Sequence, residues 1–356
     1  MKVSGFTIIR NGQKFDYPFI ESIQSMLNLC DEVIVAVGNS EDQTLELVKA
    51  IDSPKIKIIQ TVWDDNLREG GHVLAVETNK AKDAISPDTD WCIYLQANEV
   101  MHEKDHPFIK IAMEENLANE KVDGLLFDHL NFYGSYDYIA DSRRWTYKQI
   151  RVIRNNPAIR SYRDAMSFKK NGKNLLVKKI NATIYHYGWV KTPSAMQKKY
   201  ETFQKLWHDD EWIEKNVQKV DEFDYSNIDS LFKFTGTHPS VMHERIKKMN
   251  WQFSFDPTKG IKLSLRLRIL NWLEKKWGLE IGDYNFDVPT TLRRASIRSR
   301  PSASRLAWGS SSSQSSGRRA TIAAIEVRRR CPADNRVTAR SRRRPSRPRR
   351  ARAPLT

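Results

Sequence analysis

The stretch Glu32-Val33-Ile34-Val35-Ala36-Val37, closed by Gly38-Asn39-Ser40-Glu41-Asp42, decides the fold. A short apolar run rich in β-branched residues and bounded by turn formers reads as a strand buried on both faces, the kind parallel sheets contain. Upstream, Lys2–Ile9 reads as a partner strand ended by Arg10-Asn11-Gly12. Between them, Tyr17–Leu29 spaces Phe19, Ile20, Ile23, Met26 and Leu27 near the helical period. Pro18 stands at the start of that helix, where a missing N–H costs little. Downstream the alternation continues, with a helix over Gln43–Ile51 and a strand over Lys55–Gln60 after Ser53-Pro54. A helix over His72–Ile85 and a buried strand over Trp91–Leu95 follow. This order predicts an α/β domain with a mostly parallel sheet flanked by helices. In such sheets ligands sit at the carboxyl ends of the strands. The loops Arg10–Asn11, Gly38–Asp42 and Gln96–Glu99 are therefore expected on one side.

Beyond Glu103 the pattern is mixed. Gly124–Phe127 and Gln149–Ile153 read as strands, and Leu175–Lys179 and Ala182–Tyr187 as a pair of short ones. Helices are expected over Ser194–Lys215 and Pro239–Met249, the second with Thr237 as a candidate cap.

The formal net charge of +16 suggests nucleic acid or an anionic membrane until its distribution is read. Residues 289–356 carry 19 Arg, no Lys and two acids, Glu326 and Asp334. The first 288 residues hold 40 bases and 41 acids, so the body is near neutral and gives a nucleic-acid binder no support. The tail adds a Ser cluster at Ser310–Ser316 and runs such as Arg342-Arg343-Arg344-Pro345, with few large apolar residues, and reads as disordered. A basic arm for nucleic acid or acidic lipid is one reading of it. An out-of-frame or fused non-native stretch is another, because Lys gives way abruptly to Arg while Ala, Pro and Ser rise. Three domains' worth of chain are thus expected: 1–200 as the α/β domain, 201–288 as a mainly helical extension, and 289–356 as the tail. Three cysteines (Cys30, Cys92, Cys331) are too few for a disulfide framework, which points to a reducing, cytoplasmic setting. No apolar run reaches membrane-span length, and the amino terminus lacks a signal-peptide core. Lys262–Trp277 is amphipathic and could rest on the inner face of an anionic membrane or pack on the main domain.

Several segments could carry chemistry. Tyr94-Leu95-Gln96-Ala97-Asn98-Glu99 ends a buried strand in polar groups, a way to present oxygen ligands to a hard cation. Tyr185-His186-Tyr187-Gly188-Trp189 offers an imidazole at another strand end. His102-Glu103-Lys104-Asp105-His106 matches the zinc-protease pattern H-E-x-x-H, but Pro107 disfavours the helix that chemistry needs. Leu67-Arg68-Glu69-Gly70-Gly71 could start a helix or admit a phosphate, with Arg68 as its partner. Asp141-Ser142-Arg143-Arg144-Trp145 and Arg160-Ser161-Tyr162-Arg163-Asp164 combine acid and base. Asp164 could act as a general base if partly buried, and a salt-bridged loop is the alternative.

Taken together, the ordered set resembles the family 2 glycosyltransferases. The carriers are Phe6-Thr7-Ile8-Ile9-Arg10-Asn11, Val35 to Thr44 with its Ser40-x-Asp42-x-Thr44 element, the Gln96–Glu99 turn and Tyr185–Trp189. The resemblance covers residues 1–200 well and 200–288 loosely. It implies a GT-A, Rossmann-like fold, a nucleotide-sugar donor, a glycan or lipid-linked acceptor and, usually, inversion, in surface polysaccharide or glycolipid assembly. It places the donor on Thr7, Arg10, Asn11, Gly38, Asn39 and Asp42, with Arg68 as the added phosphate partner read from its own segment, and the catalytic base at Asp164. A divalent cation, Mn²⁺ or Mg²⁺, would sit on Asn98, Glu99 and His186. The family's D-x-D motif falls here on Gln96-Ala97-Asn98, with amides for both acids. A catalytically degenerate sugar-nucleotide or glycan-binding protein on the same scaffold is the alternative.

Overall fold

Alternate residues of the first strand feed opposite sides of one sheet, and the rest of the architecture follows from that. In β1 (Val3–Ile9) every residue is buried. Val3 and Ile9 join a core that includes Phe19, Ile23 and Met26 of α1 (Phe19–Met26). Phe6 and Ile8 join a second core with Val73 and Ala81 of α3 (His72–Asp83). The structure is a computed structural model. It describes residues 1–256 apart from 143, 144, 218, 219 and 227, and beyond them only 265, 269, 270, 272, 286 and 287. The chain divides into two units, Met1–Ala320 and Thr321–Thr356, and every described residue lies in the first.

Strand β2 (Glu32–Gly38) is also fully buried and pairs in parallel with β1 and with β3 (Ile56–Thr61). Helix α2 (Thr44–Lys49) connects β2 to β3, and α3 connects β3 to β4 (Trp91–Tyr94), which lies parallel to β1 on its other side. The order β3-β2-β1-β4 is therefore an all-parallel, Rossmann-like half with helical crossovers, as the GT-A resemblance implies. The buried strands are the short β-branched runs, and β3, only half-buried, forms the edge.

The second half is mixed. After β5 (Glu99–Met101) and α4 (His106–Glu115) come β6 (Gly124–Tyr133), β7 (Tyr138–Ala140) and β8 (Lys148–Arg154). Strand β8 inserts antiparallel between β4 and β6. The hairpin of β9 (Ile159–Tyr162) and β10 (Ser167–Lys170) leads into β11 (Lys173–Trp189), which runs parallel to β6. The two short strands expected here are one 17-residue strand whose register shifts between Lys179 and Thr183. Because β6 and β11 point the same way as β1 and β4, their carboxyl ends reach the same edge.

The single helix expected over Ser194–Lys215 is two, α5 (Pro193–Gln204) and α6 (Asp210–Asn216). The break falls where Asp209 caps the second helix, its carboxylate accepting from the Trp212 amide at 2.8 Å. Strand β12 (Leu231–Lys233) pairs with β7, and α7 (His243–Lys247) follows a 3₁₀ turn at Ser240–Met242. Thr237 does not cap that helix, because its hydroxyl bonds His102 Nε2 at 2.9 Å. Strand β13 (Phe286–Asp287) pairs with β11. Among the described residues no helix is long and apolar enough to cross a membrane. Residues 289–356, Arg143, Arg144, Cys331 and most of Lys262–Trp277 lie outside the described residues. Leu265, Ile269 and Trp272 of that stretch are exposed.

Candidate functional site

The loops after β1 and β2 are laced into one body. Asn11, at a φ of 55°, donates its amide to Ser40 Oγ at 3.0 Å, and its Oδ1 accepts from the Glu41 amide at 2.7 Å. Thr44 Oγ1 accepts from the Gly12 amide at 2.8 Å and donates to Asp42 Oδ1 at 2.5 Å. Asp42 Oδ2 accepts from the Lys14 amide at 2.7 Å. The Ser40-x-Asp42-x-Thr44 element is thus engaged in holding two loops together. Asn39 Oδ1 accepts from the Trp63 amide at 3.1 Å, and a Cβ on Gly38 would lie 2.4 Å from Trp63 Nε1, so only glycine fits under that indole.

Arg10 lies over the Trp63 ring at 5.7 Å and pairs with Asp65, while Arg68 donates to the Asp65 carbonyl and to the Asp210 carboxylate at 2.6 Å. The hydrogen bond from Arg10 lowers the pKa of Asp65 against a smaller opposing effect of burial. Of the expected donor residues, Arg10, Asn11, Gly38, Asn39 and Asp42 meet at the ends of β1 and β2, and Arg68 joins them through Asp65. Thr7 lies within β1 with its hydroxyl buried and unpartnered. Thr61 Oγ1, Trp63 Nε1 and Arg10 Nε are also buried without a partner among the described residues. Each such atom costs about 1–3 kcal/mol unless something bonds it. A cavity of about 300 Å³ opens between Gly38, Asn39, Asp42, Gln60 and Thr61.

The Gln96–Glu99 turn forms at the end of β4, and Ser22 of α1 ties it down by donating to the Gln96 carbonyl at 3.1 Å. Glu99 is fully buried. Arg151, on β8 and equally buried, donates to both of its carboxylate oxygens, from Nε at 2.7 Å and Nη2 at 2.6 Å. His129 of β6 contacts Oε1 at 2.9 Å, and the Gln96 amide donates to Oε2 at 3.0 Å. Burial works to raise the Glu99 pKa, but the Arg151 charge and the bonds from His129 and Arg151 hold it far below the carboxylate range.

Asn98 and His186 do come together with Glu99: His186 on β11 pairs with Glu99 on β5, and both side chains crowd Gly188. Asn98 Oδ1, His186 Nδ1 and His129 Nδ1 are buried without partners among the described residues. This donor set does not fit a hard divalent cation. Its one carboxylate is spent on a guanidinium, and what remains is amide and imidazole. Among the described residues no three acidic, histidine or cysteine side chains form a metal-ligand group.

Asp164 stands in the four-residue connection between β9 and β10, and its neighbours Arg163 and Ala165 both hold positive φ, 52° and 57°. Non-glycine residues there carry strain of roughly 1–2 kcal/mol each. Gly71, at a φ of 70° at the start of α3, backs onto the turn: a Cβ there would lie 3.1 Å from Asp164 Cβ and from Trp207. Burial raises the Asp164 pKa, opposed by its own amide, the Met166 amide and Arg163. Arg151 Nη1 also donates to the Met166 carbonyl at 3.3 Å, so one guanidinium links the Asp164 turn to the Gln96–Glu99 turn.

The remaining candidates separate. Arg160 pairs with Asp83 on the surface. His102 caps a 3₁₀ turn, and His106 begins α4 behind Pro107's first-turn position, so the H-E-x-x-H residues share no continuous helix. Trp63, Thr61, His129 and Arg151 were missed. The only signal for Arg151 is a charge inside the apolar run Ile150-Arg151-Val152-Ile153.

No family model matches the chain, and no curated protein does. Among solved structures it is similar to S. aureus TarS at 14% identity and a TM-score of 0.32, over 57% of this chain and 39% of that one. For TarS 1–349 in complex with UDP, the likeness covers 56% of this chain and 64% of that one, at 14% identity and a TM-score of 0.32. The chain thus spans less than two thirds of either. Glucosyl-3-phosphoglycerate synthase from Mycobacterium tuberculosis, in complex with Mn²⁺, UDP and phosphoglyceric acid, is similar at 19% identity and a TM-score of 0.25, over 37% and 43%.

Proposed function

We propose that this chain transfers a sugar from a nucleotide-sugar to an acceptor hydroxyl, with inversion. The observation that carries the reading is Asp164. It is a desolvated carboxylate on a strained turn, tied by Arg151 to the turn that ends β4. Its raised pKa suits a general base, since a carboxylate nearer neutrality takes a hydroxyl proton more readily. The acceptor oxygen would attack the anomeric carbon on the face opposite the diphosphate. The donor would lie along the laced loops, where Thr7, Arg10, Thr61 and Trp63 keep unpartnered polar atoms. The acceptor class proposed is a glycan or lipid-linked glycan of surface polymer assembly, met in the cytoplasm or at the inner membrane face.

The amides at Gln96 and Asn98 and the engaged Glu99 favour a second reading, a binding protein that has lost transfer. Melting temperature and nucleotide release, measured against a panel of nucleotide-sugars, separate the two. One donor class that both stabilises the chain and is slowly hydrolysed supports the transferase, because a ligand bound to the native state raises its melting point. Stabilisation without hydrolysis or transfer supports the binding protein. A panel with neither effect sinks both.

A further inference from the structure

The turn that follows β6 is closed down on two aromatic rings. Gly134 holds a φ of 72°, and a Cβ there would lie 2.7 Å from three carbons of the Phe253 ring, so only glycine lets the backbone pass. The Gly134 carbonyl accepts from Trp251 Nε1 at 2.8 Å. Phe253 is further fixed by Tyr138 and Tyr225, with ring centres 5.5 and 5.8 Å away. Trp251 and Phe253 remain half-buried and alternate with the exposed Gln252 and Ser254. Asp137 stands at the far end of the turn. Its amide donates to Ser135 Oγ at 3.1 Å and its carbonyl accepts from the Phe234 amide at 2.7 Å, so its backbone is held while its side chain is exposed. Among the described residues its carboxylate accepts only from the Ser135 hydroxyl, at a long 3.4 Å. These residues and Met249 surround an open cavity of about 350 Å³. None of them belongs to the loops after β1, β2 or β4.

A sugar ring has an apolar C–H face and a rim of hydroxyls. The rings of Trp251 and Phe253 suit the first, and a carboxylate, an amide and a hydroxyl suit the second. The volume falls in the range of small-ligand sites. Among the described residues that line the cavity, Asp137 is the one charged group, and it repels an anionic ligand. A hard divalent cation wants more oxygen ligands than one carboxylate supplies. An organic ammonium ion would use the rings and Asp137 but leave Gln252 and Ser254 without a role. We propose that this cavity is a saccharide subsite, in which Asp137 accepts from the hydroxyls of an uncharged pyranose and Trp251 and Phe253 bear its C–H face. This rests on the transfer reading above and narrows its acceptor to neutral glycans. The turn leaves β6 at its carboxyl end, where the Gly134 amide donates to the Trp189 carbonyl of β11 at 3.0 Å. A glycan seated there lies on the edge toward which β1 and β4 also point.

The test is a screen of the full chain on an array of neutral and acidic glycans, followed by calorimetry of the best ligand, of choline and of glycerol phosphate. A neutral glycan is expected to bind. Asp137→Asn should weaken it about tenfold and Gln252→Ala about threefold, the worth of a charged and of a neutral hydrogen bond. Both positions are exposed, so both variants should melt with the wild type, and Gln252→Ala decides the matter if Asp137→Asn does not fold. Neither should change the stabilisation given by a nucleotide-sugar. Choline binding that Asp137→Asn abolishes, with no neutral glycan bound, would make the cavity an ammonium site and overturn the proposal. A preference for acidic glycans or glycerol phosphate would overturn it, as would neutral-glycan binding that neither folded variant weakens. Failure of every neutral glycan to bind overturns it too, and a nucleotide-sugar that still stabilises the chain then leaves the transfer reading standing. Neutral-glycan binding that the variants weaken, with no response to any nucleotide-sugar, would keep the subsite and remove the transfer reading.

Discussion

Two carboxylates, one buried and one half-buried, 65 residues apart in the chain and linked through one arginine, have been treated in opposite ways. Glu99 is fully matched: a two-pronged guanidinium, an imidazole and a backbone amide meet its two oxygens. Its pKa is driven down despite complete burial. Asp164 is only half-buried and faces less help, and its burial drives its pKa up. Its turn is held in strained backbone on both sides of it, whereas neither neighbour of Glu99 has a positive φ. A satisfied charge serves the fold, and an unsatisfied one on strained backbone is available for chemistry. The comparison also accounts for the place of Arg151. It cancels one carboxylate and, through the Met166 carbonyl, bonds the turn that carries the other.

The largest expected effect tests that division at its active end. Asp164→Asn should lower kcat for transfer by about 10²–10⁴, the usual worth of a positioned base, with donor affinity little changed. The sign of its stability effect follows from the raised pKa. Folding favours the neutral acid, so that stability is present below the unfolded pKa and is lost as pH rises through the folded one. At neutral pH the ionised group is a burden, and the uncharged amide should melt no lower than wild type. Loss of turnover together with a lower melting point would make Asp164 a structural residue instead.

The second effect falls at the quiet end. Arg151→Met leaves Glu99 charged and buried without its partner, at a cost of about 3–5 kcal/mol, measurable by urea unfolding. Adding Glu99→Gln should recover much of the loss, because the isolated charge rather than the missing pair is the expensive part. The pair's contribution depends on pH in the opposite sense to that of Asp164. The depressed Glu99 pKa gives stability above the unfolded carboxylate value, and this is lost as pH falls toward the folded value. A double variant as unstable as the single one would mean that packing, not charge, holds these turns together.

How much of this was legible in the sequence follows the same division. The parallel half was, because each buried strand is a short β-branched run and each crossover helix has its own apolar period. The loops Arg10–Asn11 and Gly38–Asp42 were placed together on topology alone, and the bonds from Asn11 to Ser40 and Glu41 bear that out. Strand β11 was divided in two because Lys178-Lys179-Ile180-Asn181 interrupts its apolar pattern where the register slips. The pairing of Glu99 with Arg151 was not legible. The residues lie 52 positions apart and meet only because β8 runs antiparallel beside β4. Nor was the strain at Arg163 and Ala165, since neither residue type announces a positive φ.

The smallest effect asks whether the charge beside Asp164 reaches it. Arg163 is exposed, holds a φ of 52°, and lies 5.9 Å from the Tyr162 ring centre. Arg163→Gly should relieve roughly 1–2 kcal/mol of backbone strain. It should also lose a cation–π contact of about 0.5–1 kcal/mol and gain unfolded-state freedom, so net stability should move by less than about 1 kcal/mol. The informative readout is the pH profile of kcat/KM. Arg163 works to lower the Asp164 pKa, so its removal should shift the acid limb, where the base must be ionised, to higher pH. Arg163→Lys keeps the charge and should leave that limb in place. If both variants share the wild-type limb, the Asp164 environment is set by burial alone, and its contrast with Glu99 reduces to the presence or absence of Arg151.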